Sequence, residues 1–421
     1  MSQPHLPRPR IDLQTLPPLL ATGDAGSFAQ ATLKVRDPRI LQDLENAPNF
    51  APAMQRGLAK LRAEILNGAI QTLREDAPDT NFWRQVSKPY IGRSWLNVPW
   101  YWAETYFYRR ILEITRYFQI GAWRERDPFA PLKDAELQPD AAPARVASIM
   151  QSAAQDAALA ERDVFAWFLH AALWGNRVDL SYNVERLHGR AAQLRDEREN
   201  LLADDIAAVW EFFQTQRVRQ LVYVADNAGT ELALDLAAID FLLMERTPAR
   251  ERPYVDSIVL HLKPQPFYIS DAMPQDALRT LDAFEKANDA TRALAQRLRA
   301  HLQTKRLTLR THWFYPTPLH YFEMPDDLWD LMRAADFVIL KGDVNYRRAV
   351  GDAHWNPTMR FEYPTRYFPV PFVALRTLKS DALVGLRAEQ VSALNQTDAA
   401  WRVNGKRGVA QANLQPGRRD L

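Results

Sequence analysis

The chain of 421 residues contains no cysteine. Disulfides, thiolate nucleophiles, iron–sulfur clusters and cysteine zinc sites are therefore excluded. No stretch reaches about 18 uninterrupted apolar residues, so we expect no transmembrane helix. The first residues are rich in proline and lack the apolar segment of a secretory signal peptide. These absences together lead us to expect a cytoplasmic protein.

Several common catalytic and nucleotide-binding motifs are also missing. The sequence contains no GxxxxGK[ST], no GxGxxG after an apolar run, and neither HExxH nor GxSxG. Its eight histidines show no metal-like spacing, and His261, His312 and His320 are expected to be structural. The chain also has no marked excess of either charge, because the formal net charge is +2 and no long block of like charge occurs. We therefore expect neither a nucleic acid nor a membrane as partner.

The pattern of the sequence divides the chain into three parts. Residues 1–50 are rich in proline and are expected to form extended coil with short helices. Residues 51–214 show apolar residues at helical spacing and predict an all-helical domain. In residues 215–421, short apolar runs alternate with helical patterns, which is typical of an α/β domain. We expect a mostly parallel sheet flanked by helices there, in a Rossmann-like, three-layer arrangement.

Individual elements can also be assigned. Apolar runs of strand length predict strands at 219–227, 255–262, 266–270, 336–343 and 371–379. Helical spacing predicts one long helix over 274–302, an aromatic-rich helix over 98–118 and a charged helical stretch over 181–214. Glu104 and Arg109 on the aromatic-rich helix are candidates to line a lid.

Four of the apolar runs end in polar side chains. Asp226 and Asn227 follow the first run, and Asp271 follows the third. The last two runs are followed by Lys341, Gly342, Asp343, Asn345, Tyr346 and Arg347 and by Arg376, Thr377 and Lys379. Because ligands of an open parallel sheet bind just beyond the carboxyl ends of its strands, we expect the four clusters to converge on one edge.

The chemistry of these clusters points to a metal and an anion. Asp226, Asn227 and Asp271 offer two carboxylates and an amide oxygen, a set that suits divalent cations such as Mg²⁺ and Mn²⁺. Positive charge accompanies them on Arg347, Arg376 and Lys379, and phosphate is the commonest anion at such sites. A helix that starts near Gly229 would add backbone amides at its N-terminus.

Each cluster also has a plainer interpretation. Asp226 and Asn227 have the composition of a turn or a helix cap. Asp271 is consistent with the simple opening of a loop, and Lys341 with a position on a solvated, charged loop. The sequence alone leaves these alternatives open.

Four stretches of the sequence also resemble a known protein family. "DNAGTEL", "ISD", "LKGDVNYRRAVGD" and "RTLK" together resemble the damage-control phosphatase family, and specifically its third subfamily, which has an Arg-Thr-x-Lys signature. Residues 94–111 and 401–411 resemble the N-terminal helical segment and the C-terminal end of that family. One departure is Thr230, which stands where an aromatic residue is common.

The resemblance implies a metal-dependent phosphatase that acts on small phosphorylated metabolites, sugar phosphates such as fructose phosphates among them. It implies a divalent metal, Mn²⁺, Co²⁺, Ni²⁺ or Mg²⁺, held by Asp226, Asn227 and Asp271. These three residues and Lys379 form the expected catalytic group. The expected substrate-binding residues are Glu231, Asp343, Asn345, Tyr346, Arg347, Arg376 and Lys379.

Two other functions remain as alternatives. One is a protein carboxyl methyltransferase that uses S-adenosylmethionine, an activity attributed to one branch of the family, although no glycine-rich loop follows the first strand of the α/β part. The other is a non-catalytic protein that binds a sugar phosphate. The sequence also leaves open which carboxylate acts as general base or nucleophile.

Overall fold

A seven-stranded sheet organises the computed structural model, which describes residues 6–155, 160–175, 200–245 and 252–417. The strands are β1 (Leu201–Asp204), β2 (Val218–Val224), β3 (Val255–Leu262), β4 (Leu307–Thr311), β5 (Phe337–Lys341), β6 (Phe372–Thr377) and β7 (Gly408–Asn413). Their order across the sheet is β1-β7-β6-β5-β2-β3-β4. Neighbours are parallel except for β6 and β7, which are antiparallel. The predicted α/β class with a mostly parallel sheet is confirmed.

Helices cover both faces of the sheet. They are α1 (Phe28–Ala31), α2 (Asp37–Glu45), α3 (Pro52–Asn67), α4 (Thr80–Ser87), α5 (Trp100–Ile114), α6 (Ala130–Ala135), α7 (Ala142–Gln155), α8 (Glu161–Trp174), α9 (Ile206–Thr215), α10 (Thr230–Leu243), α11 (Pro274–Ala287), α12 (Asp289–Gln303), α13 (Asp326–Arg333), α14 (Gly342–Val350), α15 (Glu362–Thr365) and α16 (Ala388–Thr397). One π-helical turn, Thr32–Arg36, joins α1 to α2. Within the described ranges, no helix is both long and apolar enough to cross a membrane.

Alternate residues of the central strands supply two hydrophobic cores. On β2, Val222 and Val224 belong to the core that includes α5, whereas Leu221 and Tyr223 belong to the core that includes α8 and α10. Because side chains alternate across a strand, a sheet covered on both faces must be apolar at every position. This explains why each of β2, β3, β5 and β6 contains a run of consecutive apolar residues, namely LVYV, IVL, FVIL and FVAL.

The sequence predicted four of the five interior strands, and it missed the interior strand β7 and the edge strands β1 and β4. The predicted strands at 219–227, 255–262, 336–343 and 371–379 correspond to β2, β3, β5 and β6. β1 and β4 are the two edge strands and are only partly buried, so they lack a continuous apolar run. Four residues of the stretch predicted as helical over 181–214 form β1, and residues 181–199 lie outside the described residues.

The predicted strand at 266–270 was wrong. This segment is an irregular loop after β3. Its apolar character comes from packing, because Phe267 and Tyr268 are buried and the rings of Tyr108 and Tyr268 lie 4.8 Å apart. The apolar run at 266–270 therefore reflects the burial of a loop rather than the presence of a strand.

The predicted single helix over 274–302 consists of two helices, α11 and α12. Between them Asn288 has an extended backbone, with φ −154° and ψ 170°. Its side chain accepts a hydrogen bond of 3.0 Å from the amide of Thr291. Asparagine at a helix start satisfies an otherwise unpaired amide, and this capping favours a new helix over continuation of the first.

Candidate active site

A cavity of about 100 Å³ lies at the carboxyl edge of the sheet, where β2 and β5 lie side by side. The chain continues from β2 towards one side of the sheet and from β5 towards the other, which makes this a topological switch point. Seven of the residues predicted for the site line the cavity: Asp226, Asn227, Glu231, Asp271, Asp343, Arg347 and Lys379.

A glycine makes the close approach of the two strand ends possible. Gly342 follows β5 and has a φ of +83°. A Cβ atom at this position would lie 1.8 Å from Oδ2 of Asp226 and 2.3 Å from its Cγ. The carboxylate of Asp226 thus rests against the backbone at the start of α14, in a space that any larger residue would fill.

Asp271 reaches the cavity by a route that the sequence did not reveal. The loop after β3 turns back and pairs with the segment after β2 through a bridge between Asn227 and Asp271. The amide of Ala228 donates to the carbonyl of Ser270 at 2.6 Å, and the amide of Ala272 donates to the carbonyl of Asp226 at 2.9 Å. Backbone pairing, rather than a strand end, brings Asp271 to the edge of the sheet.

The carboxylate of Asp271 is deeply buried and poorly compensated. Its residue is 1% exposed, its carboxylate oxygens have no side-chain hydrogen-bond donor among the described residues, and the Lys263 ammonium lies 3.7 Å from Oδ1. Burial raises its pKa above the usual value. Burial also raises the pKa of Asp226 to about 7, with Lys263 opposing the rise and Glu231 adding to it.

Lys263 is a residue of this site that the sequence analysis missed. Its ammonium lies 3.2 Å from Oδ1 of Asp226 and 3.7 Å from Oδ1 of Asp271. It also donates to the backbone carbonyls of Ala225 and Asp226 at 3.1 and 2.8 Å. A signal was present, because Lys263 directly follows β3 just as the polar clusters follow the other strands.

The residues fit a divalent cation. The buried carboxylates of Asp226 and Asp271 share one ammonium, and the oxygens of Asp271 accept no side-chain hydrogen bond from the described residues. No group of three His, Asp or Glu side chains suited to a metal occurs in the described part of the chain. A cation here would therefore need the amide oxygen of Asn227 and water or phosphate as further ligands.

Glu231 and Lys341 orient Asn227 from behind. The side-chain nitrogen of Asn227 donates to Glu231 at 2.8 Å, and its oxygen accepts from the hydroxyl of Ser270 at 2.7 Å. Lys341 is fully buried, and its ammonium lies 3.0 Å from Glu231 and 3.1 Å from Asp235. The surface position considered for Lys341 is wrong, because this side chain lies inside the protein beneath α10.

Asp343 and Arg376 hold the segment that carries Lys379. Asp343 accepts hydrogen bonds from Arg376 at 2.8 Å, from the Lys379 amide at 3.1 Å and from the Ser380 hydroxyl at 3.0 Å. Burial alone would raise the pKa of Asp343, but Arg376 and Arg347 outweigh it and the pKa is lowered. Within the described residues, the ammonium of Lys379 has no hydrogen-bonded or ionic partner. It is thus available to an anion in the cavity.

Three residues predicted to bind substrate lie behind the cavity wall. Arg376 is fully buried and donates to the backbone of Ser380 at 2.9 Å. The side chain of Asn345 donates to the carbonyl of Lys341 at 2.7 Å. Tyr346 donates to Gln411 at 2.8 Å. Their contacts are with the protein itself, which places them as supports of the site.

The opposite part of the wall comes from α5. Arg347 donates to Glu104 at 2.7 Å and to Asp352 at 2.7 and 3.1 Å, and its guanidinium lies 3.8 Å from the centre of the Trp100 ring. Glu104, one of the two residues predicted as lid candidates, lines the cavity. Arg109 does not, because it is buried in an ion pair with Asp79.

The N-terminus of α10 already carries an anion. The amide of Thr230 donates to Oε2 of Glu136 at 2.8 Å. Gly229 has a φ of +68°, a backbone conformation that favours glycine, and an added Cβ would lie 2.3 Å from the same oxygen. The amide predicted to face a phosphate is thus capped by a carboxylate that the sequence analysis did not identify.

Comparison with known proteins identifies the family. The profile described as "Damage-control phosphatase ARMT1-like domain" matches residues 32–394. The chain belongs to this family. The Damage-control phosphatase ARMT1 of Danio rerio is 29% identical over 443 residues, which cover 94% of this chain and 97% of that protein. The Damage-control phosphatase ARMT1 of Homo sapiens is 26% identical over 449 residues, which cover 95% and 99%.

A solved structure is also similar, that of a DUF89 family protein from Pyrococcus horikoshii. It has a TM-score of 0.48 and 15% sequence identity, and the match covers 91% of this chain and 97% of that one. The resemblance found in the sequence is confirmed by the ARMT1-like profile and its relatives. Membership in the damage-control phosphatase ARMT1-like family supports a phosphatase with a repair role, and a small phosphorylated metabolite as its substrate.

Proposed function

We propose that this chain hydrolyses phosphate monoesters of small metabolites, with sugar phosphates such as fructose phosphates as substrates, and depends on a divalent cation. Asp226, Asn227 and Asp271 would hold the cation, Mn²⁺, Co²⁺, Ni²⁺ or Mg²⁺. The observation that supports this most directly is the buried carboxylate of Asp271, whose two oxygens have no side-chain hydrogen-bond donor among the described residues. Asp226 and Asp271 share one ammonium, that of Lys263, so two buried carboxylates face a single positive charge, and a divalent cation would supply the charge that is missing.

A divalent cation bound at this site supplies charge to polarise a phosphate and lowers the pKa of bound water. The protein residues supply position and further charge. Lys379 neutralises negative charge on the phosphate oxygens, because its ammonium has no partner in the described structure. Asp343 fixes the backbone of Lys379, and Glu231 fixes the orientation of Asn227. Burial of these supports keeps the site preorganised.

The test is a direct assay with a matched pair of variants. The purified chain is incubated with a panel of sugar phosphates, with each of the four cations in turn, and with EDTA as control. Asp271→Asn keeps the shape of the side chain and removes its charge. We expect it to lose both cation binding, measured by calorimetry, and phosphate release. Asp330→Asn, at an exposed carboxylate on α13, should retain both.

Two results would contradict the proposal. Phosphate release that persists after complete removal of the cation would eliminate a metal-dependent reaction. Binding of S-adenosylmethionine in calorimetry without added cation, together with no phosphate release from any substrate, would instead favour the methyltransferase.

A further inference from the structure

The N-terminal segment contributes a cation to the same cavity. Arg36 lines it together with Asp226, Asp271 and Lys379. Arg36 is the last residue of the π-helical turn between α1 and α2, in which the amide of Asp37 donates to the carbonyl of Thr32. A π-turn inserts one residue into a helix and redirects the side chains around it, and such turns are frequent at functional sites.

The guanidinium of Arg36 has N–H groups that make no hydrogen bond to the described residues. Its side chain is 50% exposed, and the nearest carboxylate oxygen, Oε1 of Glu104, lies 3.8 Å from its Nη1. At that distance there is no hydrogen bond, and none of its N–H groups donates to another described residue. Arg347 and Arg376, in contrast, are engaged with carboxylates at 2.7 and 2.8 Å. A free guanidinium presents a planar set of donors that matches a carboxylate or a phosphate.

The groups around Arg36 do not cancel its charge. Glu104 is already engaged by Arg347 at 2.7 Å and by the hydroxyl of Tyr268 at 3.3 Å. Asp37 is 1% exposed, and burial followed by the charge of Glu104 raises its pKa well above the usual range. Because Glu104 is held by two other donors, the guanidinium of Arg36 remains available to a ligand in the cavity.

Arg36 and Lys379 reach the cavity from different elements of the fold. The charged and polar groups beside Arg36 are Glu104 and Tyr108 of α5 and Tyr268 of the loop after β3. Lys379 instead follows β6, and its backbone is held by Asp343. Two cations with free donors, brought to one cavity by different elements, match a ligand that has two anionic groups.

We propose that Arg36 is a specificity-determining residue that binds a second anionic group of the substrate, separate from the phosphate that is hydrolysed. This inference rests on the proposed phosphatase function and narrows its substrate class. The preferred substrates are sugar phosphates with a second phosphate or a carboxylate.

The test compares three substrates that share the reacting group. They are a hexose bisphosphate, a hexose monophosphate and p-nitrophenyl phosphate, which has no second anion and no sugar. Arg36→Gln is compared with Arg36→Lys and with Arg39→Gln, an exposed arginine that follows on α2 and does not line the cavity. Thermal melting of each variant shows whether it is folded.

We expect Arg36→Gln to lower the ratio of kcat/KM for the bisphosphate to that for p-nitrophenyl phosphate by about 10- to 100-fold, the loss typical of a hydrogen bond between charged groups. The loss should appear in KM rather than in kcat, because the second anion does not react. Arg36→Lys should retain part of the ratio, and Arg39→Gln should retain all of it.

Two outcomes would overturn the inference. An unaltered ratio in Arg36→Gln would show that Arg36 contacts no second anion. An equal loss for all three substrates would assign Arg36 to the reacting phosphate instead.

Failure of the proposed function gives a different result, because the wild-type chain would then release phosphate from none of the three substrates with any cation. In that case calorimetry with the hexose bisphosphate in EDTA decides the matter. Binding to Arg36→Gln that is at least about tenfold weaker than to the wild type supports the inference, and equal binding overturns it.

Discussion

Replacement of Lys341 by methionine is expected to destabilise the protein strongly. The ammonium of Lys341 lies 3.0 Å from Glu231 and 3.1 Å from Asp235, and it donates to the carbonyl of Ala172 at 2.7 Å. All three charged side chains are at most 3% exposed. Methionine keeps the apolar stem but leaves two carboxylates buried without their cation.

The size of the effect follows from that arrangement. Breaking a buried ion pair by removal of one partner costs about 3–5 kcal/mol. Asp235 limits the cost. Burial already raises the pKa of Asp235 to about 6, although the charge of Lys341 opposes the rise. Without Lys341 this carboxylate is expected to take up a proton at pH 7, so we expect a loss near the lower end, about 3 kcal/mol.

The assay is urea denaturation at pH 7, followed by the fluorescence of the 12 tryptophans. Lys60→Met, at an exposed position on α3, is the control for the same chemical change and should lose less than about 0.5 kcal/mol. Asp235→Asn combined with Lys341→Met should be less destabilised than the sum of the two single variants, by about 0.5–3 kcal/mol. A loss below about 1 kcal/mol in Lys341→Met, or additivity in the double variant, would refute this account of the buried charges.

Three further results are expected. Gly342→Ala should lose cation binding and more than about 2 kcal/mol of stability, because it adds the contact with Asp226 to the cost of a positive φ; Gly405→Ala, at φ +72° with no atom within 4 Å, should lose only about 1 kcal/mol. Lys379→Ala should lower kcat/KM by an amount equivalent to about 2–4 kcal/mol, and unaltered kinetics would remove Lys379 from the site. Burial lowers the pKa of His261 to about 3 in the folded protein, whereas its pKa in the unfolded chain is near 6.5. Between these pH values only the unfolded chain binds the proton, so stability falls as the pH decreases. Urea titrations between pH 6 and 4 should therefore show a slope smaller by about 1.4 kcal/mol per pH unit in His261→Gln, and identical slopes would contradict the assignment.

The part of the site that lies on β2 and β5 was predictable from the sequence. Both strands are buried on two faces, so they appear as apolar runs, and the first polar residues after them mark the carboxyl edge of the sheet. Asp226 and Asp343 were found by this rule. The same rule also identifies Lys263, which follows β3 in the same way.

Other parts of the site depend on contacts between distant segments, and no local pattern encodes them. Asp271 reaches the cavity because the loop after β3 reverses and pairs with Asn227. Glu136 caps α10 from 94 positions earlier in the chain. Arg36 comes from the proline-rich segment that the resemblance did not cover. In each case the position is set by tertiary packing.

The enclosure of α5 has a consequence for how ligands are chosen. Every residue from Trp100 to Leu112 is buried, and this helix carries Trp100 and Glu104 into the cavity. A helix buried from Trp100 to Leu112 cannot move outward without exposing its packed side chains to water. On that side, selection between metabolites would then depend on the preformed shape of the cavity. Substrates too large for it would be excluded sterically, before binding.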